Sequence, residues 1–195
     1  HDVEEGLAAL DVAQKAFARV SFDLIYALPA QTLSGWEAEL RRALSFGTGH
    51  LSLYQLTIEP GTRFETLVRT GALTPKDPDE AAEFYELTDA LTTEAGLLRY
   101  EISNHARMGE ESRHNLTYWR YGEYVGIGPG AHGRRAGLAT IRHKKPENFL
   151  TAITRNGHGA QSEEALSSAE RAREALLMGL RLAEGVDLAD IAQRT

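Results

Sequence analysis

The sequence predicts an α/β fold built from βα units with parallel strands. Three observations carry that expectation. Helical and strand-like patterns alternate through about the first sixty residues, which is the rhythm of βα units. The strand-like runs Val20–Leu28 and His50–Ile58 are short, rich in β-branched and aromatic residues, and each is closed by a proline. Apolar residues recur at helical spacing around and between them. At 195 residues and 42% hydrophobic, the chain can bury the core of one domain or slightly more.

Taken in order, Asp2 and Glu5 form a capping box for a helix over residues 3–18, with Leu7, Leu10, Ala13 and Phe17 on one face. In Val20–Leu28 the alternation separates Phe22, Leu24 and Tyr26 from Ser21, Asp23 and Ile25. Asp23 is expected to be buried there, so its carboxylate must find donors or contact a ligand. Ser34 and Glu37 read as a second capping box, ahead of a Trp36, Leu40, Ala43, Leu44 stripe that stops at Gly47. The second strand ends in Glu59-Pro60-Gly61. Ligands of parallel α/β folds sit at the carboxyl ends of strands, which places Tyr26–Pro29 and Thr57–Pro60 at the rim of a site.

A short helix is expected over Arg63–Thr70, then a longer one over Asp79–Ala95 with Ala81, Phe84, Leu87, Thr88 and Leu91 inward. Leu97–Ser103 reads as a strand and Asn104–Ser112 as a polar loop. Arg113–His132 reads as a loop, because its aromatics and its glycines at every second position fit neither helical nor strand periodicity. Arg134–Lys145 reads as a hairpin turning near Ala136-Gly137, and Pro146–Asn156 as a helix followed by a flexible link at 156–159. A last long helix is boxed by Ser167 and Glu170, with Ala172, Leu176, Leu177 and Leu180 on one face and Gly185 at its end. Asp187 caps a few further helical residues.

Composition narrows the function classes. The net charge of −7 and a pI near 5.5 argue against non-specific binding of nucleic acid or anionic membrane. No apolar run approaches the roughly 18 residues of a membrane span, so no integral membrane segment and a cytoplasmic location are expected. With no cysteine, this chain offers no disulfide, thiolate nucleophile or iron–sulfur ligand. The start at His1 rather than Met is expected of a fragment.

The seven histidines are scattered, and none has zinc-site spacing backed by a carboxylate. Gly126-Ile127-Gly128-Pro129-Gly130 is not a dinucleotide fingerprint, because its spacing differs and Pro129 occupies the turn. Taken by themselves, the residues describe part of an α/β barrel-like domain, one aspartate in a strand and one aromatic–histidine–glycine loop. They name no reaction.

Specific strings go further. Asp23-Leu24-Ile25-Tyr26 with Leu28-Pro29, then Leu51 to Thr62 (LSLYQLTIEPGT), Tyr100-Glu101-Ile102-Ser103-Asn104, Arg113 to Trp119 (RHNLTYW) and Gly126 to His132 (GIGPGAH) occur in that order. Together they resemble the oxygen-independent coproporphyrinogen III oxidase-like radical SAM family. The HNxxYW block is closest to its HemW heme-chaperone branch. The resemblance implies a partial (β/α)6 barrel whose early strands carry three cysteines holding a 4Fe–4S cluster. This chain would then be the C-terminal part of that barrel (residues 1–62), an added α+β segment (63–160) and the start of a truncated helical C-terminal domain (161–195).

By the same resemblance, Asp23, Thr57 and His132 fall at S-adenosylmethionine contacts, and His114, Asn115, Tyr118 and Trp119 at a heme face with His114 as iron ligand. No catalytic residue is carried over, and without cluster cysteines this stretch is expected to be inactive and to hold no cofactor alone. The implied parent uses S-adenosylmethionine, a 4Fe–4S cluster and heme, and passes heme to acceptor proteins. Its alternative is the oxidative decarboxylase of coproporphyrinogen III. Ala27 and Ala30 stand where the family usually has glycine, and His105 and Met108 where it usually has Phe and Pro. His105 is a second candidate iron ligand, with an exposed loop histidine as the plainer expectation. Barrel edges left uncovered would favour a homodimer through strand pairing.

Overall fold

The computed structural model describes residues 2–194; His1 and Thr195 lie outside them. The chain divides into two compact units, His1–Glu111 and Ser112–Thr195. The fold is mixed α/β, each unit having its own sheet.

The first unit opens with α1 (Val3–Ala16), whose Asp2/Glu5 capping box forms as expected. The helix ends two residues earlier than its apolar spacing suggests, and Phe17 is exposed. Strand β1 (Ser21–Tyr26) leads to α2 (Leu33–Leu44), then β2 (His50–Gln55), which pairs parallel with β1. The cap of α2 is Thr32, whose hydroxyl accepts from the Gly35 amide, not the expected Ser34. Glu37 instead reaches forward to Arg41, four residues on. Short α3 (Arg63–Arg69) precedes α4 (Pro78–Glu94), capped by an Asp77/Glu80 box with Pro78 in its first turn.

β3 (Leu98–Glu101) and β4 (Asn104–Ala106) then form an antiparallel hairpin, and β4 pairs antiparallel with β2. The sheet order is β1-β2-β4-β3. Residues 104–106 were expected in a loop. Asn104, His105 and Ala106 carry no strand signal of their own, and pairing on both sides makes them a strand. The core lies between this sheet and α2/α4, with Trp36, Leu40, Leu51, Leu53, Phe84 and Leu91 buried in it. The Trp36 ring stacks on Tyr26 at 5.3 Å, and its indole N–H donates to Thr88 at 2.8 Å. A buried indole is thus both packed and satisfied.

The second unit begins with α5 (Arg113–Trp119), where a loop was expected. Ser112 caps it, its hydroxyl accepting from the Asn115 amide. The helix is too short for its periodicity to show against the aromatic run. β5 (His132–Arg135) and β6 (Leu138–Arg142) form the expected hairpin, turned by Ala136 at φ 50° and Gly137 at φ 75°. Two consecutive positive φ values define a type I′ turn, whose twist suits paired strands. α6 (Pro146–Asn156) ends at left-handed Gly157 (φ 77°). The predicted link at 156–159 runs into an unexpected strand, β7 (Ala160–Ala165), antiparallel to β6. Its charged residues hid it, since an outer strand with one solvated face needs few apolar positions.

α7 (Ser168–Gly179) keeps its Ser167/Glu170 box but packs differently from the expected leucine face. Ala175 and Gly179 are buried, whereas Leu177 and Leu180 are more than 60% exposed. Gly179 permits close approach, because a Cβ there would overlap Val186. Asp187 caps α8 (Leu188–Arg194) as expected, accepting from the Ala189 amide.

Candidate functional site

Each unit carries one candidate surface. In the first, β1 and β2 present Phe22, Leu24 and Tyr26 with Leu51 and Leu53 to the helices. The opposite face carries Ser21, Asp23 and Ile25 beside His50, Ser52 and Tyr54. Asp23 is exposed, which corrects the expectation of a buried carboxylate. On β1, the outer strand of its sheet, Ser21, Asp23 and Ile25 all meet solvent, so the carboxylate keeps its hydration. Asp23 has no hydrogen-bond partner among the described residues.

Strand register extends this surface. Asp23 pairs with Ser52, Ser52 with Asn104, and Asn104 with Glu101, giving one polar row across all four strands. Ser52, Asn104 and Glu101 are buried. Glu101 accepts from the Ser103 amide at 2.9 Å and from the Asn104 side-chain amide. Asn104 Oδ1 is buried with no partner among the described residues. Beside this row, the His50 ring lies 2.7 Å from Ser21 Oγ through Nδ1 and 2.9 Å from Tyr100 OH through Nε2. Burial pushes the His50 pKa below its ordinary value, the nearby Asp23 charge opposing it. Sequence reasoning missed Ser52, Asn104 and Glu101. Their shared phase follows from register, which only strand pairing reveals.

Thr57 lies beyond β2, exposed, its hydroxyl donating to the Gln55 carbonyl at 3.4 Å. The Leu56 amide donates to Tyr26 O at 2.9 Å, so the two strand ends stay joined at the predicted rim. Ala27, at that rim, is buried at φ 57°, a left-handed conformation that favours the glycine expected there. His105 is not an exposed loop histidine. It is buried on the helix side of the sheet, opposite in phase to Asn104 and level with Leu51. Both ring nitrogens lack partners among the described residues, and burial lowers its pKa to about 4. A ring enclosed in the core presents no ligand to iron.

In the second unit, the helical form of α5 sorts the HNLTYW residues. His114 and Tyr118, four apart, share a face with ring centroids 4.7 Å apart. Tyr118 meets Tyr124 edge-on at 4.4 Å, completing an aromatic ladder from an exposed imidazole. Trp119 points elsewhere, with the Arg181 guanidinium 4.4 Å from its ring centroid. It lines a cavity of about 370 Å³ with Gly179, Leu182 and Val186. Asn115 is half-buried, and His132 is exposed on β5. Gly126 and Gly133 allow the backbone to double over itself, since a Cβ at Gly126 would overlap the His132 carbonyl.

Glu174 braces this unit. It accepts from Arg134 Nε and Nη2 at 2.9 and 2.8 Å and from Tyr121 OH at 2.8 Å. The Arg134 hydrogen bond holds the Glu174 carboxyl below its usual range, and burial with the Glu174 contact pushes Tyr121 up to about 12.

With this geometry in hand, likeness to known proteins is informative. The HemN C-terminal domain matches residues 166–195. The bovine protein named "Radical S-adenosyl methionine domain-containing protein 1, mitochondrial" is 42% identical over 95% of this chain and 44% of its own length. "Heme chaperone HemW" of Bacillus subtilis is 35% identical over 91% of this chain and 47% of its own. Over most of its length the chain is thus similar to proteins of the HemN/HemW radical SAM kind. In structure it resembles Escherichia coli coproporphyrinogen III oxidase (HemN) with a TM-score of 0.76 at 19% identity, covering all of this chain and 48% of that one. The chain therefore spans about half the length of the curated relatives it matches, 44% and 47% of the two named here.

Proposed function

We propose that this chain is part of a heme-handling radical SAM protein of the HemW kind, which binds heme and delivers it to acceptor proteins. The observation that carries this reading is the ladder His114–Tyr118–Tyr124. An exposed imidazole is the commonest axial ligand of heme iron, and aromatic edges beside it suit a flat apolar macrocycle. Relatives in Bacillus subtilis and Synechocystis at 35% and 36% identity are named heme chaperones, which supports the same reading. Likeness to HemN at 19% identity supports the fold alone, so no observation here favours the decarboxylase.

For S-adenosylmethionine, the first unit fits. Asp23 is an unpartnered carboxylate on an open strand face, in register with an orphaned Asn104 Oδ1. When bound, S-adenosylmethionine supplies the sulfonium whose reductive cleavage starts radical chemistry. Asp23 would accept hydrogen bonds from its hydroxyl or amino groups, and we assign Thr57 to it by its place in the family motif. For a 4Fe–4S cluster this chain does not fit, because it contains no cysteine. We read β1 and β2 as the last strands of the partial barrel (residues 1–62), residues 63–160 as the α+β extension, and 161–195 as the opening of the C-terminal domain. No helix among the described residues is long and apolar enough to cross a membrane. We keep a cytoplasmic location as the expectation, although the bovine relative carries "mitochondrial" in its name.

The test is a heme titration of the purified protein and its His114→Ala variant. The variant should shift or lose the Soret band of the bound form. An unchanged spectrum and affinity would remove His114 as the ligand.

A further inference from the structure

The second unit carries the run Arg142-His143-Lys144-Lys145 in a chain whose net charge is −7. Three arginines of this unit pair with carboxylates, Arg120 with Glu184, Arg134 with Glu174 and Arg194 with Asp190, and what sets Lys144 and Lys145 apart is their adjacency beside the glycine loop. Lys144 and Lys145 are exposed and have no acidic partner among the described residues. Two adjacent exposed ammonium groups give this part of an acidic protein a local positive potential that attracts an anion.

Backbone bonds fix what lies beside them. Arg142 Nε donates to the Gly126 carbonyl at 2.5 Å. The Arg142 amide donates to Ala131 O and the Gly130 amide to His143 O, both at 2.9 Å. The glycine loop is therefore laid along residues 142–144, with Lys144 passing over Gly130, where a Cβ would sit 3.7 Å from its Cγ. On this loop Val125 is 57% and Ile127 88% exposed. The residue before Val125 is Tyr124, the last ring of the ladder that starts at His114. Chain continuity and these hydrogen bonds thus bring the segment that follows the Tyr124 ring, with its bare Val125 and Ile127, alongside the segment that carries the two lysines.

We propose that Lys144 and Lys145 bind the ionised side-chain carboxylates of the tetrapyrrole, while its planar body lies against Tyr118, Tyr124 and Ile127. This rests on the heme reading above and adds the polarity of the site. A flat ligand with an apolar body and an anionic edge matches that order of side chains. A neutral planar ligand would leave the lysines uncompensated. An extended polyanion is opposed by the acidic remainder of the chain. Lysine suits the task as a mobile point charge that needs no fixed bidentate geometry.

The test titrates wild-type protein and a Lys144→Ala, Lys145→Ala double variant with ferric heme and with heme whose two carboxylates are methyl esters. The variant should lose about tenfold in affinity for heme, two exposed ion pairs together being worth about one decade. Its Soret maximum should stay in place, because iron ligation is untouched. Wild type should bind the diester as weakly as the variant binds heme, and the variant should not distinguish the two ligands. If esterification weakens binding equally in both proteins, or in neither, the carboxylate assignment is overturned while the heme reading stands. If wild type binds neither ligand, the heme reading falls and takes this assignment with it.

Discussion

Replacing His105 by phenylalanine should stabilise the first unit, and more in acid than at neutral pH. The ring is 2% exposed, and neither nitrogen has a partner among the described residues. A buried polar group left unmade costs about 1–3 kcal/mol. Phenylalanine removes that penalty, and its slightly larger ring gives back about 1 kcal/mol in packing strain. The net gain near neutrality is then about 1 kcal/mol. The pH-dependent part is separate from that estimate. Burial lowers the His105 pKa from 6.5 to about 4, with Asp89 partly opposing and Arg99 reinforcing the shift. The folded state holds the ring neutral while the unfolded chain takes up a proton below pH 6.5.

Stability contributed by the neutral ring is therefore complete above pH 6.5 and is lost as pH falls toward 4. At about pH 5 the loss is about 2 kcal/mol. His50, whose pKa burial also lowers, is retained in the variant, so its contribution enters both proteins. Urea unfolding followed by circular dichroism, at about pH 7.5 and about pH 5, should show the variant's advantage widening by about 2 kcal/mol in acid. An advantage that stays constant or shrinks would refute a buried neutral His105.

Two further outcomes follow from other contacts. Glu174→Gln should cost the second unit about 2 kcal/mol near neutral pH, because a charge-assisted bidentate pair with Arg134 is lost. Glu174 has a lowered folded pKa, so its contribution is present above the ordinary 4.5 and fades as pH falls through the folded value. The gap between variant and wild type should narrow as pH falls below 4.5, and a gap that stays constant through acid titration would contradict the ion-pair account. The outer edge of β1 predicts self-association of the 195-residue chain by strand pairing, seen as a dimer in light scattering. A monomer at all concentrations would show that α1 and the charged side chains shield that edge well enough.

Much of this protein was written locally. The Asp2/Glu5 and Ser167/Glu170 boxes, the Ala136-Gly137 turn and the Trp36, Leu40, Ala43 stripe are all decided by residues within a few positions of one another. Such short-range chemistry survives in the sequence as spacing. The motif strings carried the family resemblance for the same reason, since each is a contiguous run. Tertiary structure decided the rest. Asn104–Ala106 became a strand only because β2 and β3 flank it, and that pairing turned His105 into the core and Asn104 to the other face. Asp23 stayed exposed because β1 is an outer strand. The helical turn of α5 put His114 with Tyr118 and sent Trp119 to Arg181. Lys144 came to lie over Gly130 through hydrogen bonds that no spacing announces. Residue spacing records which face a residue takes once its element exists. Which element forms, and what covers each face, depends on partners distant in the chain, whose pairing energies no local pattern contains.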